Sequence, residues 1–238
     1  MKQGVLLINL GTPATATTTA VRSYLHRFLA DPRVINLPRF VWLPIRNLMV
    51  LPKRPSASAG RYRQIWSKQY GSPLAYYTQK QAAQLQELLP DYKVAYAYSY
   101  SKPFIADALA QLEKDRIENL TIIPLYPQYS TTTIGSVIDD INRFYFRRAY
   151  IPKLHIINSF ADRNDYLDLL AKNIQTALDH GQYDQLIMSF HGIPVSYAQH
   201  GDPTHNNVQL RWPVWKRVCT RMSQLCRPTS QNLAPLSG

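Results

Sequence analysis

Short apolar runs rich in valine, isoleucine and leucine recur along this chain and alternate with longer segments of helical periodicity, a pattern typical of a parallel α/β sheet. The predicted strands are 4–9, 93–100, 119–125, 154–157 and 184–190. The predicted helices are 17–30, 56–66, 74–89, 103–115, 132–148 and 164–180. We therefore predict an α/β fold of two Rossmann-like domains with parallel sheets, joined near residue 150, where YIPKL interrupts the alternation.

The loops that follow the predicted strands form the candidate site, because ligands of open parallel sheets bind beyond the carboxyl ends of the strands. This rule selects the stretches GTP, YSKP, YPQYSTTT and HGIP, which begin at residues 11, 100, 126 and 191. The single glycine after the first strand is a weak signal. No G-x-G-x-x-G pattern is present, so a nucleotide-dependent oxidoreductase is disfavoured.

The loop after the third strand, PLYPQYSTTTIGS, combines aromatic, amide and hydroxyl side chains ahead of a predicted helix. A hydroxyl side chain in this position caps the N-terminus of a helix in many proteins. Tyr126, Gln128 and Tyr129 are then left to wall a pocket for a planar ligand.

His191 stands at the carboxyl end of the last predicted strand, immediately before a glycine that allows a sharp turn. A lone histidine is more often a hydrogen-bonded structural residue than a ligand, but its position at the edge of the crevice favours a metal-binding or proton-accepting role. A neutral imidazole there can bind a divalent metal, such as iron, zinc or copper, or accept a proton near neutral pH.

The positive charge of the chain is unevenly distributed. The formal net charge is +12, and the segment between Pro32 and Gln86 holds nine basic residues and no acidic one. A nucleic acid, an anionic membrane surface or a carboxylate-bearing ligand would complement this segment, and a solvated face is the simplest alternative. The basic residues are dispersed through apolar sequence without a recognition motif, so no nucleic-acid partner is expected.

Residues 34–54, VINLPRFVWLPIRNLMVLPKR, are predicted to be neither strand nor helix, because prolines and arginines interrupt the apolar residues. One interpretation is a proline-broken connection that covers part of the core. The other is a protruding lip whose apolar side chains contact lipid or a flat ligand while its basic side chains contact acidic groups. The side chains of this second interpretation are Trp42, Leu43, Ile45, Leu48, Arg39, Arg46 and Lys53.

Neither a membrane span nor a cysteine-based site is expected. No apolar run approaches the roughly 18 residues of a spanning helix, and VLLINL is too short for a signal peptide, so we expect a cytoplasmic protein. Cys219 and Cys226 are the only cysteines, which provides neither a disulfide framework nor the four thiolates of an iron–sulfur cluster.

Five ordered stretches resemble the successive motifs of ferrochelatase, the enzyme family that inserts ferrous iron into a porphyrin to make haem. They are VLLINLGTP, SYLHRFLADPRVINLP, YGSPL, PLYPQYSTTTIGS and SFHGIPVSYAQHGDP, and the resemblance runs from residue 4 to Pro203. The resemblance implies two Rossmann-like domains with a porphyrin cleft between them. It also implies that the 34–54 lip borders the porphyrin and can rest on a membrane as a peripheral contact.

Site residues follow from the same resemblance. His191 is implied as the metal site or base of the reaction. Protoporphyrin IX or coproporphyrin and ferrous iron are the implied substrates, and no permanently bound cofactor is expected. The implied substrate-binding residues are Leu10, Arg27, Arg46, Tyr126, Gln128, Tyr129 and Ser130. A flat apolar ring with anionic propionates suits a basic crevice lined by aromatic side chains.

The resemblance stops after Pro203. Residues 204–238 contain five basic residues, no acidic ones and both cysteines, without helical or strand periodicity. We interpret this tail as the product of a shifted reading frame, with a genuine tail that binds an acidic partner as the alternative. The first domain would then be 1–150 and the second, 151–203, would be incomplete.

The glutamate motif that faces the histidine in this family is not found in the chain. Three outcomes therefore stay open: an active ferrochelatase, a catalytically inactive fragment that binds porphyrin, and, as the least favoured, a basic nucleic-acid-binding protein.

Overall fold

A computed structural model of the chain describes residues 1–181, Tyr183, Ile187 and 191–204. The predicted α/β fold with a parallel sheet is confirmed. Four parallel strands form one sheet in the order β2-β1-β3-β4. The strands are β1 (Gln3–Asn9), β2 (Tyr92–Tyr98), β3 (Asn119–Pro124) and β4 (Lys153–Ile156).

The helices of the described residues lie between consecutive strands or follow β4. They are α1 (Thr18–Phe28), α2 (Arg39–Ile45), α3 (Leu51–Ile65), α4 (Pro73–Leu88), α5 (Ile105–Lys114), α6 (Ser136–Tyr145), α7 (Asn164–Asp179) and α8 (Val195–Gln199). Two π-helical turns, Arg46–Val50 and Thr131–Gly135, lead directly into α3 and α6.

Strand β1 is the centre of the core, because both of its faces are covered. Leu6 and Ile8 are fully buried and belong to a cluster with the apolar sides of α5 and α6. Val5 and Leu7 point to the opposite face and pack near Ala82 of α4. Burying one such aliphatic side chain contributes about 1.5–3 kcal/mol, so this strand fixes the sheet on which the site is built.

Residues 34–54 are mostly helical, so the prediction that they form neither strand nor helix is wrong. Pro44 lies inside α2, and the chain continues through the π-helical turn, a local widening that accommodates irregular hydrogen bonding. Pro52 lies in the first turn of α3, where its missing N–H costs no hydrogen bond.

The chain divides into two compact units, Met1–Asn158 and Ser159–Gly238. The division therefore lies after the expected join near residue 150, because β4 pairs with β3 and belongs to the first sheet. Sequence alone placed this strand in the second domain. Most of the predicted strand 184–190 and the tail beyond residue 204 lie outside the described residues, so an incomplete second domain stays a prediction.

Candidate functional site

Three loops meet at the carboxyl ends of β1, β2 and β3, as predicted. The backbone N–H of Tyr100 donates to the carbonyl oxygen of Leu10 at 3.1 Å, and that of Leu125 donates to Ile8 at 2.7 Å. The N–H of Thr12 donates to Ser101 Oγ at 3.2 Å. The loops after neighbouring strands are therefore held together by backbone hydrogen bonds and by the Ser101 hydroxyl.

Gly11 is the point at which the first loop turns. Its φ is +96°, and a side-chain carbon there would lie 2.5 Å from Ser101 Oγ and 3.0 Å from Tyr98 Cβ. Only glycine adopts this conformation and leaves room for the neighbouring loop. The single glycine of the GTP stretch thus has a structural role.

A group of aromatic side chains lies beside these loops. Tyr24 stacks on Phe28 at 6.1 Å between ring centroids, and Phe28 meets the edge of Tyr100 at 5.1 Å. Burial raises the pKa of Tyr24, Tyr100 and Tyr126. The neighbouring Tyr62 raises that of Tyr24 further, and the hydrogen bond to Asp31 raises that of Tyr100 further. These phenols stay neutral across the physiological range, so they can donate hydrogen bonds but do not act as bases.

Residues 126–130, which we call the substrate loop, contain four of the predicted substrate-binding residues. Ser130 Oγ accepts a hydrogen bond from the backbone N–H of Thr132, so one hydroxyl of the stretch is a cap, as the sequence suggested. The hydroxyl of Tyr126 is buried, whereas Gln128 and Tyr129 are partly exposed.

Arg46 has the most unusual environment among the predicted site residues. Its side chain is buried, with 5% of the residue exposed. Its guanidinium donates to the carbonyl oxygen of His26 and to Asn47 Oδ1, and it lies 3.1 Å from His26 Nε2. Burial, and then the neighbouring Arg39, lower the pKa of Arg46. Among the residues that the structure describes, no acidic side chain forms an ion pair with it.

Arg27 lies near the end of α1 and is exposed. Its guanidinium is 5.3 Å from the ring centroid of Phe104 and donates to the carbonyl oxygen of Ser23 at 3.3 Å. Partial desolvation of the His26 imidazole, then the neighbouring Arg46 and Arg27, lower the pKa of His26, which is an exposed residue overall.

The lip segment, residues 34–54, exposes several large apolar side chains. Phe40 is 81% exposed, Leu48 77% and Met49 63%. Trp42 differs, because it packs against the cluster of α1 and α3, and its indole Nε1 donates to Leu29 at 2.6 Å. Of the apolar residues predicted to line a lip, Ile45 and Leu48 are exposed and Trp42 and Leu43 are partly buried.

His191 lies in the second unit, whereas all seven predicted substrate-binding residues lie in the first. It is exposed, and its Nδ1 is 2.7 Å from the carbonyl oxygen of Gly192. Within residues 1–181 and 191–204, no group of three or more His, Cys, Asp or Glu side chains is placed to hold a metal ion. Nor is any described helix long and apolar enough to cross a membrane.

Sequence reasoning missed a polar network around Asp31. The carboxylate accepts hydrogen bonds from Tyr100, Ser136 and the backbone of Arg33, and Arg33 pairs with Asp139. The stretch LADP ahead of the lip contains the only available signal, an aspartate at the end of a helix.

The four-stranded parallel sheet, with aromatic and hydroxyl side chains in the loops at the carboxyl ends of its strands, is that of a Rossmann-like α/β protein and is consistent with the chelatase type. Comparison with known proteins identifies the family of the chain. The Ferrochelatase family model matches residues 2–229, and the chain belongs to this family. The matched range extends past Pro203, where the recognisable motifs end; the interpretation of 204–238 as a shifted reading frame stays a prediction.

Similar curated proteins carry the names of two kinds of ferrochelatase. A coproporphyrin III ferrochelatase of Limosilactobacillus reuteri (strain DSM 20016) is 42% identical over 208 residues, 87% of this chain and 64% of that protein. A ferrochelatase of Janthinobacterium sp. (strain Marseille) is 43% identical over 209 residues, 86% of this chain and 56% of that protein. The chain thus spans less than two thirds of the length of these relatives.

Proposed function

We propose that this chain binds a porphyrin with anionic side chains and inserts ferrous iron into it. Iron replaces the two pyrrole N–H protons, which leave to a base or to water. Membership of the ferrochelatase family supports the reaction class. The relatives' names include coproporphyrin III, so coproporphyrin III and protoporphyrin IX are the two porphyrins to compare.

The observation that carries the porphyrin proposal is the buried guanidinium of Arg46. A buried charge is costly unless an opposite charge or a full set of hydrogen bonds compensates it. Its described partners are neutral acceptors, two on His26 and one on Asn47. A propionate of the substrate would supply the missing negative charge, and a second could reach the exposed Arg27.

The remaining predicted residues suit a flat ring. In this proposal Leu10, Tyr126 and Tyr129 contact the porphyrin face, and Gln128 and Ser130 contact its polar edge. His191 then supplies an imidazole, either to take a pyrrole proton or to hold the incoming iron, and both roles require the neutral form.

A titration of the full chain tests this proposal. Coproporphyrin III and protoporphyrin IX are added while Soret absorbance and fluorescence are followed, and their methyl esters serve as uncharged controls. Ferrous iron is then added without oxygen, and the metalloporphyrin spectrum is recorded. We expect tight binding of the free acids, weak binding of the esters and metallation on the enzyme. Equal binding of acids and esters would contradict the role of Arg46, and absence of all binding would overturn the proposal.

A second candidate is a protein that binds porphyrin without inserting metal. It is favoured by the position of all seven predicted substrate-binding residues in the first unit, separate in the chain from His191. The same titration decides between the two, because binding without metallation on addition of iron or zinc supports this second candidate.

We further propose that the protein is cytoplasmic and that the lip segment rests on an anionic membrane surface. Exposed Phe40, Leu48 and Met49 would enter the interface, while basic Arg39 and Lys53 would contact acidic headgroups. Such an arrangement would let an apolar porphyrin enter directly from the membrane.

A further inference from the structure

The carboxylate of Asp31 joins three segments that are far apart in sequence. Its Oδ1 accepts from the backbone N–H of Arg33 at 2.7 Å. Its Oδ2 accepts from the hydroxyl of Tyr100 at 2.6 Å and from Ser136 Oγ. Tyr100 and Ser136 are buried, and their hydroxyl oxygens are 3.1 Å apart. Each of the side chains of Asp31, Tyr100 and Ser136 is therefore hydrogen-bonded to the other two. Hydrogen bonds to an ionised acceptor are among the stronger ones in proteins.

A second connection runs parallel to the first. Arg33 donates from Nε and Nη2 to the two carboxylate oxygens of Asp139, at 2.7 and 2.9 Å. Ser136 and Asp139 are three residues apart on α6 and therefore share one face of that helix. The turn at residues 31–33 is thus attached to α6 at two positions about one helical turn apart.

The two connected segments are those that lead to the proposed porphyrin contacts. The backbone N–H groups of Val34 and Ile35 donate to the carbonyl oxygen of Asp31, so the turn leads directly into the lip segment. Helix α6 continues from the substrate loop through one π-helical turn. Arg33 and the predicted contact Tyr129 both lie close to Gly135. A side-chain carbon at position 135 would be 3.6 Å from the Tyr129 hydroxyl and 3.7 Å from Arg33 Nη1.

We infer that Asp31 and Arg33 are positioning residues, which fix the lip segment relative to the substrate loop through Ser136 and Asp139. We call these residues, with Tyr100, the clamp. The inference rests on the proposed function, since what the clamp sets is the separation of two groups of porphyrin contacts. Loosening it should weaken porphyrin binding and raise KM, while kcat changes little because the clamp touches no reacting atom.

The chain offers a matched control for this test. Arg148 pairs with Glu113 at 2.7 Å, the same separation as Arg33 and Asp139. The two pairs are almost equally exposed, 41% and 35% for the clamp pair and 37% and 39% for the control pair. Arg33→Met and Arg148→Met therefore remove similar ion pairs, only one of which joins the lip to α6.

The first measurement is porphyrin affinity by fluorescence quenching on the full chain. We expect Arg33→Met to raise the Kd for coproporphyrin III about five- to tenfold and Arg148→Met to change it less than about twofold. Asp31→Asn, which retains the shape of the side chain, should have an intermediate effect. Equal changes in the two arginine variants, or no change in either, would overturn the positioning role.

The second measurement needs no porphyrin. Amide hydrogen exchange is compared between wild type and both variants, and we expect faster exchange in 34–50 and in 126–135 for Arg33→Met alone. Unchanged exchange in those segments would contradict the inference that the clamp joins them. If the wild type binds no porphyrin, the proposed function fails and the positioning role fails with it, while exchange still shows whether the clamp joins the two segments.

Discussion

The guanidinium of Arg46 contacts His26 twice, at the backbone carbonyl oxygen and at the imidazole Nε2, each at 3.1 Å. An arginine side chain has no acceptor, so Nε2 must be the unprotonated nitrogen and His26 must be neutral. Partial desolvation, then Arg46 and Arg27, lower the pKa of this imidazole. The pair keeps a buried cation oriented without neutralising it.

This relationship predicts a pH-dependent stability. Because the folded-state pKa of His26 lies below its ordinary value of about 6.5, the unfolded chain takes up the proton first as pH falls. The stabilisation is complete above about pH 6.5 and is lost as the pH drops toward the folded-state pKa. We expect the thermal midpoint of the wild type to fall more between about pH 7 and pH 5 than that of His26→Gln. His155→Gln, at an exposed position on β4, is the control and should behave like wild type. Identical pH profiles for all three proteins would refute the neutral imidazole.

Replacing Arg46 should lower the affinity for porphyrin without lowering the thermal stability of the protein. Arg46→Met removes a buried charge and keeps an extended apolar side chain, so the thermal midpoint should stay level or rise. Affinity for coproporphyrin III should fall about tenfold or more, measured by fluorescence quenching. Arg54→Met removes one charge from an exposed position on α3 and should bind porphyrin normally. A loss of affinity that is equal in both variants would indicate a general charge effect.

Substitution by alanine should have opposite effects on stability at two glycines. Gly11→Ala places a carbon 2.5 Å from Ser101 Oγ at a positive φ, which should destabilise the protein by about 1–3 kcal/mol and displace the first loop. Gly60→Ala lies inside α3, and among the described residues beyond the local helix backbone and the chain neighbours only Arg63 Nη2 comes within 4 Å of the added carbon, so this change should stabilise the protein by about 0.5–1 kcal/mol. Urea unfolding of both variants measures the difference, and a destabilised Gly60→Ala would contradict the helix described there.

The exposed lip predicts selective binding to anionic vesicles. Phe40→Ser and Leu48→Ser remove the two most exposed apolar side chains of the segment and should each reduce co-sedimentation with vesicles rich in phosphatidylglycerol. Phe146→Ser is the matched control, because Phe146 is 80% exposed and lies outside the lip. Binding that is insensitive to the lip variants, or equal on neutral vesicles, would contradict the membrane proposal.

Sequence reasoning predicted the sheet well because its signal is local. The apolar run around Leu6 and Ile8 is bounded by polar residues and is buried on both faces, as a central parallel strand requires. The assignment of β4 to the second domain was wrong, because its pairing with Leu120 and Ile122 depends on a partner about thirty residues away. Hydrophobic pattern does not encode which sheet a strand joins.

The site was predicted unevenly for a related reason. The loop residues from Tyr126 to Ser130 stood out by composition, whereas Asp31 and Arg33 looked like ordinary surface charges. Their partners lie about a hundred residues away on α6, and only the folded chain brings them together. The helices of the lip segment were not predicted because prolines normally interrupt helices. Here Pro44 lies inside α2 and a π-helical turn follows, and this combination has no simple sequence signature.

Metallation by His191→Ala tests whether this imidazole takes part in iron insertion. His180→Ala is the matched control, since both imidazoles are exposed and each has its Nδ1 close to a backbone carbonyl oxygen, at 2.7 and 2.6 Å. Formation of metalloporphyrin from coproporphyrin III and ferrous iron is followed by absorbance without oxygen, with porphyrin affinity measured in parallel. We predict that His191→Ala binds porphyrin normally but loses metallation, while His180→Ala metallates like the wild type. An alanine variant at position 191 that still inserts iron at the wild-type rate would contradict it.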